Sequence, residues 1–217
     1  MKRIVTILLN LFIAGVSIVS WLSMVFAISQ NGPLTAGGLF SLKFFTVLSN
    51  LFNAAVCLAY AGALAARGRP SFRLRTWKLM GTAAVSLTFF TVMGFLGPVF
   101  GFGSMFVGSN FWLHLALPVL SMMSFVLLER DEPLPFRSTL WAVVPMLIYS
   151  VGYLGNVLIQ GPGDWPNRHD FYGFLLWGWP IGIAIACGLA LAIWVIAVIL
   201  WRLNGTRVRS EEFGVRS

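Results

Sequence analysis

The chain has 217 residues, of which 58% are hydrophobic and only 10% are charged, and its mean hydropathy is +0.84. Because a soluble domain carries roughly a quarter charged residues, this composition excludes a water-soluble fold and predicts one membrane domain. The net charge of +8 would favour nucleic acid on a soluble protein, but in a membrane protein it marks the basic loops that set orientation, so we expect no nucleic-acid partner.

Six apolar runs are each long enough to cross a bilayer as a helix of about 20 residues. Backbone groups in lipid must satisfy their own hydrogen bonds, so the runs are predicted to be helical. The first run is too long for a signal peptide, and we interpret it as an uncleaved span. The sequence therefore predicts an all-α, polytopic helix bundle in which residues 1–217 form a single domain. The predicted spans are about 4–28, 40–65, 79–100, 111–128, 139–159 and 174–201.

Basic residues fall in alternate loops of this six-span plan. The N-terminus, the loop "RGRPSFRLRTWK" after the second span, the loop after the fourth span and the tail all carry Lys or Arg. The loop 101–110 on the other side carries no charge. By the positive-inside rule, both termini are predicted to be cytoplasmic, and the protein is predicted to be a multi-pass protein of the cell membrane.

Polar residues of the second span share one helical face. Lys43, Thr46, Asn50 and Asn53 follow one another at i, i+3, i+7 and i+10, and Ser49 lies beside them. Such a face in a membrane helix contacts other helices or water rather than lipid. Hydrogen bonding between helices is the simplest interpretation, and we favour it for Ser49 and Asn53.

The fourth span contains His114, the one histidine inside an apolar run. An ionisable side chain at membrane depth is costly and is a candidate functional residue. Pro118, four residues later, lacks a backbone donor and frees the carbonyl of His114. The topology places Thr46 and His114 near the outer ends of their spans, at similar depth. His169 lies instead in the loop after the fifth span, so neither haem nor zinc fits well, and we expect no metal or cofactor.

The stretches "KFFTVLSN" and "NFWLHLALP", which carry Thr46 and His114, resemble the androgen-induced-protein family and its bacterial six-span relatives. The resemblance extends loosely over the second to fifth spans. Animal members are membrane hydrolases that cleave esters of hydroxy fatty acids with an intramembrane threonine and a histidine. The resemblance implies that Thr46 is a nucleophile, that His114 is its base, and that the substrate is a membrane lipid or a lipid-like ester. The histidine-threonine pair that tends to follow the catalytic histidine in animal proteins is absent here.

The chemistry of these residue types agrees with that role. A threonine hydroxyl is a weak nucleophile that needs an adjacent base, and a histidine that accepts its proton can later protonate the leaving alcohol. No carboxylate lies inside a predicted span to complete a triad. Amide side chains can orient the imidazole or stabilise an oxyanion. The candidates for this role are Asn50, Asn110 and Asn156, with Ser49 beside them.

Two other classes of function remain open at this stage. A transporter or channel could use the polar stripe as a path, although no acidic residue inside a span offers proton coupling. A non-catalytic membrane scaffold is the third class. The small residues of "GWPIGIAIACGLALA" favour close helix contacts, which suits all three.

Overall fold

The computed structural model describes residues 1–26, 37–130, 132–163 and 169–214, and within these ranges it contains helices and turns but no strand. Six of the helices are long and apolar enough to cross a membrane. The prediction of an all-helical multi-pass bundle is confirmed at this level. The helices are α1 (Lys2–Val25), α2 (Phe45–Arg67), α3 (Phe72–Phe100), α4 (Ser109–Leu128), α5 (Ser138–Gln160) and α6 (Trp179–Gly214).

Three helices begin five or more residues away from their predicted starts, and one of them is α6, which begins at Trp179 instead of 174. Residues Gly38–Lys43 form a 3-10 helix followed by an extended residue, so α2 begins five residues later than expected. The third helix begins seven residues earlier, because the Ser71 hydroxyl accepts the backbone N–H of Leu74 at 3.3 Å and caps the helix there. As a result Lys78, expected in the basic loop, lies within α3.

The centre of the bundle is α3, which packs against α2, α4, α5 and α6. Its inner face is built from small residues such as Ala83 and Ala84, which are fully buried. Gly81 allows the closest approach to α2, since a Cβ at this position would lie 2.9 Å from Oδ1 of Asn53. Small residues at such contacts bring polar side chains of neighbouring helices into the interior.

Both α3 and α4 are interrupted by a π-helical turn, at Val92–Leu96 and Trp112–Ala116. In each helix a proline, Pro98 or Pro118, lies two residues after the turn. The N–H of the residue after the second turn, Leu117, reaches the carbonyl of Trp112 five residues earlier. Because the Pro118 ring crowds the His114 carbonyl and has no N–H, the expected loosening of α4 takes the form of this wider turn.

The two ends of the bundle differ in chemistry. Arg3 donates to the Leu64 carbonyl at 2.6 Å, and Arg75 forms an ion pair of 2.5 Å with Glu132. These contacts join the N-terminus to the last turns of α2 and the first turn of α3 to the loop after α4, and we call this end of the bundle the basic end. The opposite end, called the cavity end, contains the start of α2 and the start of α4.

Candidate active site

A cavity of about 690 Å³ lies between α2, α3, α4, α5 and α6 at the cavity end. Most of its walls are apolar, and no charged side chain from the described ranges lines it. Large apolar cavities with a few polar groups are typical of sites for lipid-like molecules. The polar residues that line the cavity are Thr46, Thr88, Thr91, Asn110, His114, Tyr149 and Tyr172.

Thr46 lies in the first turn of α2 and is half-buried at the cavity wall. Its backbone carbonyl accepts hydrogen bonds from Ser49 Oγ at 3.1 Å and from Asn50 Nδ2 at 2.8 Å. Its hydroxyl makes no hydrogen bond to any residue in the described part of the chain. The Thr46 hydroxyl is therefore held at the cavity by a fixed backbone and is free to meet a ligand.

His114 lines the same cavity from the π-helical turn of α4 and is only 7% exposed. Its Nδ1 lies 2.9 Å from the backbone carbonyl of Met105, in the short helix Phe102–Met105 that precedes α4. A carbonyl oxygen can only accept, so Nδ1 carries the proton and Nε2 carries the lone pair. The Met105 carbonyl thus fixes the tautomer, as a carboxylate does in a serine-hydrolase triad.

No direct hydrogen bond joins Thr46 and His114 within the described ranges. The two side chains line the same cavity. Hydrogen bonds between a nucleophile and its base are often longer before substrate binds and tighten in the reacting complex. The arrangement is compatible with a base that acts on Thr46 once the cavity is occupied.

Two asparagines support this pair. Asn50 donates from Nδ2 to the Leu113 carbonyl at 3.1 Å, which ties α2 to the residue before His114. Asn110 lies one turn before His114, lines the cavity and is buried, and its Nδ2 has no partner in the part of the chain that the structure describes. An unpaired buried donor beside a base is a suitable group to stabilise an oxyanion.

Asn50 and the other two predicted candidates do not line the cavity. Ser49 is buried between α2 and α3, where its hydroxyl lies 3.4 Å from that of Thr88. Asn156 is exposed on α5. The structure thus brings Thr46, His114 and Asn110 together at the cavity, with Asn50 directly behind them.

Aromatic residues also line the cavity. Tyr149 donates to the Lys43 carbonyl at 2.8 Å, and the Tyr172 hydroxyl accepts the backbone N–H of Phe45 at 3.2 Å. Burial raises the pKa of Tyr172 to about 12, so its phenol stays neutral at physiological pH. Asp170, in a loop whose polar sequence predicts solvation, is buried and accepts a hydrogen bond from Tyr153. The other two charged residues of that loop, Asp164 and Arg168, lie outside the described residues.

A second polar cluster, which the sequence pattern did not predict, is buried at the basic end. Lys78 is fully buried, and its Nζ lies 3.3 Å from Oε1 of Glu129. The same ammonium donates to Asn10 Oδ1 at 2.5 Å and to Cys57 Sγ at 2.9 Å. Glu129 directly follows α4, and Ser124 donates to its Oε1 at 2.6 Å. One feature of the sequence indicates this cluster: Cys57 lies one turn after Asn53 and so extends the polar face of α2 towards the basic end.

Comparison with known proteins assigns no family. No family model matches the chain, and no curated protein or solved structure matches it. The structure therefore defines a class only: a six-helix multi-pass membrane bundle with an apolar cavity that contains a threonine, a histidine and an unpaired amide donor.

Proposed function

We propose that the protein is an integral membrane lipid-ester hydrolase in which Thr46 is the nucleophile and His114 is the general base. The observation that carries the proposal is the imidazole of His114, whose Nδ1 is fixed by the Met105 carbonyl while the ring lines the same apolar cavity as Thr46. An apolar cavity within the bundle suits an acyl chain. The resemblance to the androgen-induced-protein family agrees with this assignment.

The reaction uses the chain's own groups in two steps. Thr46 Oγ1 attacks the ester carbonyl carbon while Nε2 of His114 takes the hydroxyl proton, and the resulting imidazolium gives that proton to the leaving alcohol as the ester C–O bond breaks. In the second step a water molecule attacks the acyl-threonine, again with His114 as base. The carboxylic acid leaves, and Thr46 regains its proton.

Charge that develops on the ester oxygen needs a donor, because no charged residue lines the cavity among those described. The unpaired Nδ2 of Asn110 supplies one, one turn from His114 on α4. Asn50 positions the site rather than reacting, since its amide joins the Thr46 carbonyl to that of Leu113. In this scheme Thr46, His114 and Asn110 take part in the reaction. Asn50 and Met105 hold the reacting side chains in position.

Labelling tests the nucleophile directly. A fluorophosphonate probe should form a covalent adduct with the purified protein in detergent, because such probes react with activated hydroxyl groups of hydrolases. Thr46→Ala should prevent labelling, and prior incubation with a long-chain ester should slow it. Ser49→Ala is the matched control, since it removes a hydroxyl one turn away that does not line the cavity, and it should still be labelled. Equal labelling of wild type and Thr46→Ala would exclude Thr46 as the nucleophile.

Orientation gives a separate prediction. With both termini in the cytoplasm of a cell-membrane protein, the cavity lies in the outer half of the bilayer, and lipid esters of the outer leaflet reach it from the side. A fluorescent or enzymatic reporter that works only in the cytoplasm should be active when fused after Ser217. A reporter that is active only outside the cell at this position would contradict the inferred topology.

A further inference from the structure

A line of buried polar side chains runs from Asn50, whose amide contacts the cavity residue Thr46, to the basic end. We call this line the polar column. All seven of its residues are buried, although they lie in membrane-spanning helices or at their ends, where polar side chains are costly. Its members are Asn50, Asn53 and Cys57 of α2, Lys78 and Thr82 of α3, Ser121 of α4, and Glu129 just after α4.

Direct contacts join members of the column in two groups, each of which spans neighbouring helices. Asn53 Nδ2 donates to Ser121 Oγ at 2.9 Å, which joins α2 to α4. Lys78 donates to Cys57 at 2.9 Å and lies 3.3 Å from Glu129, which joins α3 to both of its neighbours. Successive members on α2 are three or four residues apart, which is about 5 Å along the helix. One water molecule can bridge polar groups at that spacing.

Four polar atoms of the column have no hydrogen-bond partner among the described residues. They are Oδ1 of Asn50, Oδ1 of Asn53, Oγ1 of Thr82 and Oε2 of Glu129. Leaving a buried polar group unsatisfied is destabilising, and buried groups of this kind are normally satisfied by ordered water. A polar line with several open acceptors is the kind of interior that binds water.

We propose that the polar column holds a file of water molecules that passes protons between the His114 cavity and the Lys78–Glu129 pair. The rise from His114 to Glu129 along α4 is about 22 Å, out of a hydrocarbon core of about 30 Å. A proton that reaches the cavity end moves from water to water, each molecule accepting one proton and releasing another. The Glu129 carboxylate accepts it at Oε2 and releases it at the basic end.

The residues around Glu129 suit this role. Lys78 provides a fixed positive charge 3.3 Å from Oε1, while Oε2 keeps its lone pairs open. Among the described residues, Cys57 and Tyr60 are titratable groups in contact with Lys78, and the ring of Tyr60 lies 5.7 Å from Lys78 Nζ. Thr46 takes no part, so proton passage is independent of ester hydrolysis and each activity can fail without the other.

Proton flux into liposomes tests the column. Purified full-length protein is reconstituted with an entrapped pH-sensitive dye, and a potassium gradient with valinomycin drives protons inward. Wild-type liposomes should acidify faster than protein-free liposomes, and Thr46→Ala should match wild type. Glu129→Gln should reduce the flux to that of protein-free liposomes, because the amide cannot take up and release the proton. Glu132→Gln, which changes an exposed carboxylate three residues later, should leave the flux unchanged.

Thr82→Val provides the variant that keeps the shape of the side chain. If the hydroxyl has only a structural role, replacing an unpaired buried group by a methyl should be neutral or stabilising, and flux should not change. If it holds a water molecule of the file, flux should fall while the folded fraction in detergent stays the same. Wild-type flux equal to that of protein-free liposomes, or flux of either Glu129→Gln or Thr82→Val equal to that of wild type, would overturn the proposal.

Discussion

Thr46→Ala and His114→Ala should each abolish ester hydrolysis, with a loss on the order of 10⁴-fold or more, because nucleophile and base act as one unit. Thr46→Ser should keep part of the activity, since the hydroxyl remains. Asn110→Ala should cost about 10²–10³-fold, the usual effect of removing one oxyanion donor. The measurement is release of free fatty acid from a panel of long-chain esters in micelles, with the variants checked for a folded, monodisperse state.

Ser49→Ala is the control for this series, because Ser49 contacts the Thr46 carbonyl but does not line the cavity. Its hydrolysis rate should stay within a small factor of wild type. Hydrolysis that persists unchanged in both Thr46→Ala and His114→Ala would remove the two residues from the mechanism. The Thr46 hydroxyl would then have only a packing role at the cavity wall.

The convergence of Thr46 and His114 at one cavity follows from features that the sequence carries. Hydropathy sets the number of spans, and alternation of direction places the start of α2 and the start of α4 at the same end. A residue's distance from its helix end then gives its depth, at about 1.5 Å per residue. The sequence therefore predicts how deep a residue lies in the membrane, but it does not predict the direction in which the side chain points around the helix axis. For that reason the sequence favours Asn110 and Asn156 equally, and the structure separates the buried residue from the exposed one.

The partner of His114 could not be predicted, because it is a backbone carbonyl. Met105 offers nothing in its side chain that indicates a role in orienting an imidazole. The contact depends on the path of the segment between α3 and α4, where Gly101 and Gly108 both adopt positive φ. A sequence pattern shows side chains and not the path of the main chain, so a histidine partner that is a main-chain oxygen is not visible in it.

The buried cluster at the basic end was not predicted for a different reason. Lys78 and Glu129 each lie next to a cluster of charged residues, and the sequence assigns both to solvated loops. Hydropathy averages over a window, so it cannot tell whether a charge at a span boundary points to water or into the bundle. The pair is compatible with the interior only because Asn10 and Ser124 supply further hydrogen bonds, and those lie on other segments of the chain.

Lys78→Met should be among the most destabilising single substitutions in the protein. Removing one partner of a buried pair leaves the other charge uncompensated, which costs about 3–5 kcal/mol. Here the Glu129 carboxylate would keep its hydrogen bonds from Asn10 and Ser124 but lose the ammonium that neutralises it. The midpoint of unfolding in detergent, measured by heating or by titration with a denaturing detergent, should fall accordingly.

The double variant Lys78→Met/Glu129→Gln separates the ion pair from packing. The amide introduced by Glu129→Gln is neutral and can still accept from Asn10 and Ser124, so the double variant should recover most of the loss, and the double-mutant cycle should give a large coupling. The exposed pair provides the comparison: Glu132→Gln should cost less than about 1 kcal/mol, because Glu132 is half-exposed beside Arg75. If Lys78→Met is as mild as Glu132→Gln, the buried ammonium does not neutralise Glu129, and the charge at the base of the polar column must be balanced in another way.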